Sequence, residues 1–287
     1  MLRLILKSMR PRQWTKNIFI FAALVFDGKL FHPNDFLRTL AGFGFFCLIS
    51  SSVYIFNDLL DIEADRKHPV KKNRPIASGK IPLSVAVIVG SLLALIALLG
   101  GYLLAWQFSL TMLVYFALMQ AYSKWLKHIP ILDVLILAGG FVLRVHSGTT
   151  LITVQRFSPW LYVLMTLLAL YLGFGKRRAE LTLLADNANA HRKVLDGYTL
   201  PLLDQFITIV SASTILAYSL YTFDRLPNNH NLMLTIPFVI YALFRYLYLI
   251  QVKQIGGEPE EILLSDRPFQ ISIVLWALAV LAVFYLS

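Results

Sequence analysis

The chain has 287 residues, of which 57% are hydrophobic and only 15% are charged, and its mean hydropathy is +0.66. This composition excludes an ordinary soluble globular domain, because so many apolar side chains need lipid as their solvent. A net charge of +10 would suit a nucleic-acid-binding protein, but the basic residues are distributed over loops, so we expect no nucleic-acid partner.

Apolar runs long enough to cross about 30 Å of hydrocarbon, which takes about 20 residues, recur along the whole chain. They predict an all-α, polytopic membrane protein that forms a single integral-membrane catalytic domain over residues 1–287. The first run is the weakest, since Asp27 and Lys29 shorten it. The nine candidate spans cover residues 17–31, 39–60, 82–105, 108–125, 131–150, 158–176, 203–222, 231–252 and 268–286.

The basic residues predict the orientation of these spans. Most of them lie in loops on the side of the N-terminus, while Arg144 and Arg245 lie inside spans. Because cytoplasmic loops are rich in Lys and Arg, we expect the N-terminus and the active site on the cytoplasmic face of the cell (inner or plasma) membrane. So few charges at depth argue against a transporter, the most distant alternative, in which several intramembrane charges are expected.

An acidic segment at the end of the second span carries the most informative residues. Asn57, Asp61 and Asp65 are spaced by four residues, so on a helix their side chains fall in one stripe, where they can hold Mg²⁺ against a diphosphate. Asp58 is turned about 100° away and could orient a ligand or bind a second ion. We predict Asn57, Asp61 and Asp65 as metal ligands, and Asp58, Asp61 and Asp65 as catalytic residues. The plain alternative is a helix end with solvated charges.

A basic stretch follows the acidic segment. A proline at position 69 disfavours helical geometry in His68, so we expect the helix to end there. Lys71, Lys72 and Arg74 are then expected in an extended, flexible stretch. They can neutralise phosphate oxygens, and Arg74 is the best candidate because its planar fork binds two oxygens at once. The alternative is that these residues only set the membrane topology.

The pattern Asn-Asp-x-x-Asp-x-x-x-Asp at residues 57–65 resembles the first signature of the UbiA-type intramembrane prenyltransferases, and the resemblance covers essentially the whole chain. It implies an all-helical fold of nine spans around a central cavity. Members that prenylate aromatic rings carry a second aspartate-rich motif after the sixth span, where residues 175–181 here read Gly-Lys-Arg-Arg-Ala-Glu-Leu. Basic residues suit extra substrate phosphate better than a second metal. This departure disfavours the nearer alternative, an aromatic prenyltransferase using prenyl diphosphate.

Further segments resemble one branch of that family, the decaprenyl-phosphate phosphoribosyltransferases. Residues 10–17 read Arg-Pro-Arg-Gln-Trp-Thr-Lys-Asn, residues 68–77 follow the branch pattern, and Arg178 stands where tyrosine is usual. The resemblance implies an Mg²⁺-dependent enzyme that transfers 5-phosphoribosyl from phosphoribosyl diphosphate to a polyprenyl (decaprenyl) phosphate in the bilayer and releases diphosphate. The product would feed lipid-linked arabinose and cell-wall arabinan biosynthesis. The oligomeric state stays open, a homo-oligomer included.

This reaction suggests phosphate-binding roles for several cations. Lys16 could bind phosphate at the mouth of the site or only set topology. Arg144 is costly inside a span, so we expect it to meet a phosphate or a carboxylate, with snorkelling to the interface as the alternative. The full set of expected phosphate contacts is Lys16, Lys71, Arg74, Arg144, Lys176 and Arg177.

Two polar side chains are candidates for contacts with the donor sugar. Tyr198 could hydrogen-bond the sugar, although tyrosine at a membrane interface is also ordinary composition. Glu180 could contact ribose or simply pair with Lys176, four residues earlier. A later acidic loop, with Glu258, Glu260, Glu261, Asp266 and Arg267, could close over the cytoplasmic mouth or lie in solvent.

Overall fold

The computed structural model describes residues 1–68, 70–154, 158–185, 193–225, 230–254, 262 and 265–285. Within these ranges the chain is helical and contains no strand. The expected loop residues Glu258, Glu260 and Glu261 and position 69 lie outside the described residues. The α-helices are α1 (Leu2–Met9), α2 (Ala22–Phe26), α3 (Pro33–Leu60), α4 (Ile62–Lys67), α5 (Leu83–Leu104), α6 (Trp106–Lys124), α7 (Leu132–Leu151), α8 (Pro159–Ala185), α9 (Leu200–Arg225), α10 (Ile236–Gln251) and α11 (Arg267–Tyr285).

Seven helical stretches among the described residues are long and apolar enough to cross a membrane. They coincide with seven of the nine expected spans, because the thickness of the hydrocarbon sets the length of an apolar run. The prediction of an all-helical polytopic membrane protein is confirmed. The candidate spans are Pro33–Leu60, Leu83–Leu104, Leu132–Leu151, Pro159–Thr182, Leu200–Asp224, His230–Gln251 and Arg267–Tyr285.

The two remaining expected spans differ from the prediction. Instead of a membrane-crossing helix over residues 17–31, the chain forms a 3₁₀ helix, Pro11–Phe21, and the five-residue α2. The polar pair Asp27 and Lys29, 3.2 Å apart, follows α2 directly. The expected span 108–125 does form a helix, α6, but its polar residues leave it outside the seven apolar candidates.

The chain forms two compact units, each with its own core. Unit 1 comprises Met1–Lys127 and Gly140–Gln155, and unit 2 comprises His128–Gly139 and Arg156–Ser287. One cluster of buried side chains in unit 1 includes Met9, Ile55, Ile76, Ile81 and Ala86. The core of unit 2 is rich in aromatic side chains, among them Tyr171, Phe174, Tyr198 and Tyr246.

A glycine in α7 allows a close backbone approach inside unit 1. A Cβ atom on Gly148 would lie 2.0 Å from the carbonyl oxygen of Ile20, in the 3₁₀ helix Pro11–Phe21. That contact is with backbone, so it cannot be relieved by turning a side chain. The glycine therefore determines how closely the 3₁₀ helix packs against α7.

We predict that Gly148→Ala destabilises the protein, by about 1–3 kcal/mol as is typical of overpacking. The matched control is Gly44→Ala in α3, where no heavy atom lies within 4 Å of the added Cβ. Because alanine favours helices over glycine, the control should be neutral or stabilising. Thermal unfolding of the purified variants in detergent measures both changes, and equal melting temperatures for the two would contradict the prediction.

Candidate functional site

The acidic segment lies where α3 ends and α4 begins. Asn57 and Asp58 occupy the last turn of α3, and Asp61 interrupts the helix with φ −94° and ψ 9°. Two backbone hydrogen bonds bridge the interruption, since the N–H of Asp61 donates to Asn57 O at 3.0 Å and that of Asp65 to Asp61 O at 2.8 Å. The four-residue spacing expected from the sequence is thus kept in the backbone, although the helix is not continuous.

Two of the carboxylates share one guanidinium. Arg74 donates from Nη1 to Asp58 Oδ1 at 3.1 Å and to Asp65 Oδ2 at 2.6 Å. Asp58 also binds Arg10, whose guanidinium lies 5.1 Å from the ring centroid of Tyr54. Only 2% of Asp58 and 3% of Asp65 is exposed. Two buried carboxylates are therefore neutralised by two arginines from different parts of the chain.

The third carboxylate has a separate partner. Asp61 accepts a hydrogen bond from Lys127, in the 3₁₀ helix Leu126–His128. The side chain of Lys127 is 10% exposed and that of Asp61 is 27% exposed. Asp61 is thus the most accessible of the three aspartates Asp58, Asp61 and Asp65.

The basic stretch after α4 is folded, which corrects the expectation of an extended, flexible segment. The helix ends at Lys67, and His68 takes an extended conformation, as expected. His68 Nδ1 then accepts the N–H groups of Val70 and Lys71 at 3.2 and 3.3 Å, which shapes the 3₁₀ turn Lys71–Asn73. Burial of Ile76 and Ile81 holds the rest of the loop. Arg74 is therefore placed by a structured loop.

The donor set suits Mg²⁺, which binds oxygen ligands and usually needs only one or two carboxylates beside water and phosphate. Asn57, Asp61 and Asp65 supply an amide oxygen and carboxylate oxygens within two helical turns. No three acidic, histidine or cysteine side chains in the described ranges are already arranged around one metal position. Arg74 and Lys127 instead occupy the carboxylates, so a metal would have to displace these cations.

Arg144 belongs to a different polar network, within unit 1. Its Nε donates to Asn17 Oδ1 at 2.9 Å, its Nη2 to the Tyr115 hydroxyl at 2.8 Å and its Nη1 to Gly140 O at 2.8 Å. Only 5% of the residue is exposed. The partners are an amide, a phenol and a carbonyl, so the carboxylate partner considered above is not what the structure provides. Lys16, adjacent to Asn17 in the 3₁₀ helix, is half-buried.

In unit 2, four polar residues form a buried cluster around Asp133. Arg177 Nε donates to Asp133 Oδ2 at 2.6 Å, and its Nη1 donates to Glu180 Oε2 at 2.5 Å. Tyr198 donates its hydroxyl proton to Asp133 Oδ1 at 2.6 Å and accepts the N–H of Ile131 at 2.5 Å. Glu180 thus pairs with Arg177, three residues away.

The electrostatics of this cluster determine the protonation of Tyr198. Burial, together with donation to Asp133, raises the pKa of the Tyr198 hydroxyl well above its usual range. Tyr198 is therefore a neutral hydrogen-bond donor at physiological pH. Gly175 and Lys176 precede the cluster on α8, and a Cβ on Gly175 would lie 2.7 Å from the Tyr246 hydroxyl.

A further ion pair in unit 2 involves Asp266, which directly precedes α11. Arg245 binds Asp266 through Nε and Nη2, at 3.1 and 2.8 Å. Asp266 also accepts the N–H of Phe269 in the first turn of α11. The hydrogen bond from Arg245 lowers the pKa of Asp266 below its usual value. Asp266 thus stabilises the start of α11.

Three residues of these clusters were not predicted as site residues from the sequence. Arg10 stands in the segment 10–17 that carries the family resemblance, so its position was a usable signal. Lys127 and Asp133 lie in none of the motifs described above. Their partners lie 48, 66 and 44 residues away in sequence, where no local spacing indicates them.

Taken together, the helices and the clusters define a polytopic membrane protein with carboxylates and cations gathered beside the end of a span. A family model described as the UbiA prenyltransferase family matches residues 17–195. The chain belongs to this family, which confirms the resemblance noted from its motifs.

Individual relatives cover nearly the whole chain. A decaprenyl-phosphate phosphoribosyltransferase of Mycolicibacterium smegmatis is 36% identical, over 99% of this chain and 93% of the relative. One from Corynebacterium glutamicum is 32% identical, over 98% of this chain and 86% of the relative. A UbiA homologue from Archaeoglobus fulgidus, solved bound to DMAPP and Mg²⁺, superposes with a TM-score of 0.72 at 20% identity, over 98% of both chains. This likeness shows that the fold is UbiA-like.

We predict that Asp133→Asn strongly destabilises unit 2. The substitution leaves Arg177 buried beside a neutral amide, and breaking a buried ion pair from one side costs about 3–5 kcal/mol. Asp35→Asn, which removes only the half-buried partner of His32 at 3.7 Å, should change stability by at most about 1 kcal/mol. Thermal unfolding in detergent compares the two, and equal melting temperatures would show that Asp133 does not have this structural role.

Proposed function

We propose that the protein transfers a 5-phosphoribosyl group from phosphoribosyl diphosphate to a polyprenyl phosphate, with release of diphosphate. The supporting observation is the cluster at the end of α3, where Asp58, Asp61 and Asp65 face Arg10, Arg74 and Lys127. Carboxylates that can hold a metal stand there beside cations that can take phosphate oxygens. Relatives named decaprenyl-phosphate phosphoribosyltransferase match nearly the full length of the chain, which supports the same activity.

Asn57, Asp61 and Asp65 would hold Mg²⁺, which when bound supplies charge neutralisation to the leaving diphosphate. Asp58 is the most deeply buried of the three aspartates of this cluster and is bound to two arginines. We assign it the role of orienting Arg10 and Arg74 rather than of a direct metal ligand.

The cations of the cluster would exchange carboxylate oxygens for phosphate oxygens. Arg74 is 26% exposed at its side chain. Lys127, only 10% exposed, binds the 27% exposed Asp61, so a phosphate would reach Lys127 by taking the place of Asp61. A guanidinium binds two oxygens of a phosphate at once, as it does for a carboxylate. The ion pairs thus keep the basic groups oriented until the donor binds.

The 5-phosphate of the donor needs further cations, and Lys16, Lys71 and Lys176 remain our candidates. Arg177 and Tyr198 are less suited to this role, because both already bind Asp133 and Arg177 also binds Glu180. We therefore assign Arg177 and Tyr198 to holding α8 and the segment before α9 beside the start of α7. Arg144, bound to Asn17 and Tyr115, is assigned to holding the 3₁₀ helix that carries Lys16.

The acceptor supplies its own nucleophile. A phosphate monoester has a second pKa of about 6 and is largely dianionic at neutral pH, so no strong general base is needed. A single displacement at the anomeric carbon would invert its configuration. We further propose that the N-terminus and this site face the cytoplasm, because Lys and Arg flank the spans on that side.

The direct test is an assay of purified protein with Mg²⁺, labelled phosphoribosyl diphosphate and decaprenyl phosphate. We expect a labelled lipid, stoichiometric diphosphate and inverted configuration at the anomeric carbon. Prenylation of an aromatic acid from prenyl diphosphate, with no labelled lipid in the first assay, would replace the proposal by the aromatic prenyltransferase alternative. Retention of configuration would reject a single displacement.

We predict that Asp61→Asn lowers turnover at least about 100-fold, the scale seen when one preorganised electrostatic group is removed from an active site. The amide is uncharged and binds Mg²⁺ weakly, and it also releases Lys127. Glu63→Gln is the matched control, because Glu63 is 74% exposed at its side chain and pairs with Arg66 at 3.0 Å. Both variants should stay folded, with Asp61→Asn the less stable of the two because it leaves the Lys127 side chain, 10% exposed, without its carboxylate. Near-normal turnover of Asp61→Asn would remove Asp61 from the metal site.

A further inference from the structure

Helix α1 has one buried face and two different exposed faces. Leu4, Ile5 and Met9 pack on the cluster of unit 1 that includes Ile55 and Ile76. Ser8 is also buried. The other four residues form two pairs spaced by four, which places the members of each pair side by side. Leu2 and Leu6 are 72% and 43% exposed, and Arg3 and Lys7 are exposed beside them.

The position of α1 relative to the membrane follows from α3. Between Arg38 and Asp58, α3 contains no charged residue, and this stretch of about 20 residues spans about 30 Å, the thickness of the hydrocarbon. Asp58 therefore marks one boundary of the hydrocarbon. Arg10, the residue after α1, binds Asp58. Met9 O accepts the hydroxyl of Ser51 at 3.1 Å, about 10 Å further along α3 into the span. The C-terminal end of α1 thus lies on the hydrocarbon side of this boundary.

A surface recess lies along the outer side of α1. It has a volume of about 540 Å³ and is lined by Arg3, Leu4, Leu6, Lys7 and Pro11. Neither Arg3 nor Lys7 has an ion-pair partner in the part of the chain that the structure describes. Two uncompensated cations thus flank an apolar wall at the level where lipid headgroups meet acyl chains.

We propose that this recess binds an anionic phospholipid of the adjacent leaflet. The lipid phosphate lies between Arg3 and Lys7, and the first carbons of its acyl chains contact Leu4, Leu6 and Pro11. Exposed leucines beside basic residues are the pattern of helices that lie in the membrane interface. The charge of the recess selects anionic over zwitterionic lipid. This site is separate from the carboxylate cluster, and the proposal does not depend on the transferase activity.

Lipid binding at α1 would also affect the cluster at the end of α3. Arg10 follows α1 directly in a left-handed conformation, with φ 54° and ψ 64°, and reaches Asp58 from there. A lipid that holds α1 against the interface therefore holds the guanidinium of Arg10 beside Asp58. The site is placed to couple the composition of the leaflet to the geometry of the cluster.

The test measures lipid preference with purified protein in mixed micelles, titrated with phosphatidylglycerol or phosphatidylcholine and examined by native mass spectrometry. One basic residue near an anionic surface contributes about fivefold in affinity. The double variant Arg3→Gln, Lys7→Gln should therefore bind phosphatidylglycerol about 30-fold more weakly. The exchange Arg3→Lys, Lys7→Arg keeps both charges and should retain the preference.

The matched control is the double variant Lys80→Gln, Lys253→Gln, which removes two exposed charges outside the recess. It should bind phosphatidylglycerol as the wild type does. An equal loss in both double variants would mean that net charge alone is responsible, and unchanged binding in the first would show that the recess is not the site. Displacement of phosphatidylglycerol by stoichiometric decaprenyl phosphate would assign the recess to that lipid and overturn the phospholipid assignment.

Discussion

The structure of unit 1 depends on the neutralisation of buried carboxylates at the edge of the hydrocarbon. Removing a charge from water is costly unless a partner of opposite sign is close, and Asp58 and Asp65 are nearly fully buried. Arg10 and Arg74 meet this requirement from either side. The same ion pairs thereby attach α1 and the loop after α4 to the end of α3. The same contacts therefore neutralise the buried charges and join three segments of the chain.

In unit 2, a different cluster neutralises a buried carboxylate. Asp133 is fully buried at the start of α7 and is neutralised by Arg177, while Tyr198 donates to its second oxygen. Arg177 Nε binds one oxygen of Asp133, and its Nη1 donates to Glu180. The basic segment 176–178 is therefore fixed at its centre by the ion pair of Arg177 with Asp133.

The sequence predicted the helices better than it predicted the contacts of the site. Hydrocarbon thickness imposes a minimum length on each apolar run, so seven spans could be located without a structure. The run at 17–31 misled because an apolar composition does not distinguish a membrane helix from the 3₁₀ helix Pro11–Phe21. The acidic stripe was recognisable because its spacing is local, whereas Arg10, Lys127 and Asp133 act through partners more than 40 residues away. Such pairings arise from helix packing, which periodicity does not encode.

The net charge of the cluster at the end of α3 limits how this cluster could bind a substrate. Three carboxylates face three cations, so the cluster is close to neutral before any ligand binds. A phosphoribosyl diphosphate carries more negative charge than one Mg²⁺ neutralises, since each terminal phosphate contributes between one and two charges. If Asp61 and Asp65 held Mg²⁺, as proposed above, Lys127 and Arg74 would be free to turn to the phosphates, while Arg10 would stay bound to Asp58. The excess negative charge would then require cations outside the cluster, which is the physical reason for proposing Lys16 and Lys71 of unit 1 as phosphate contacts.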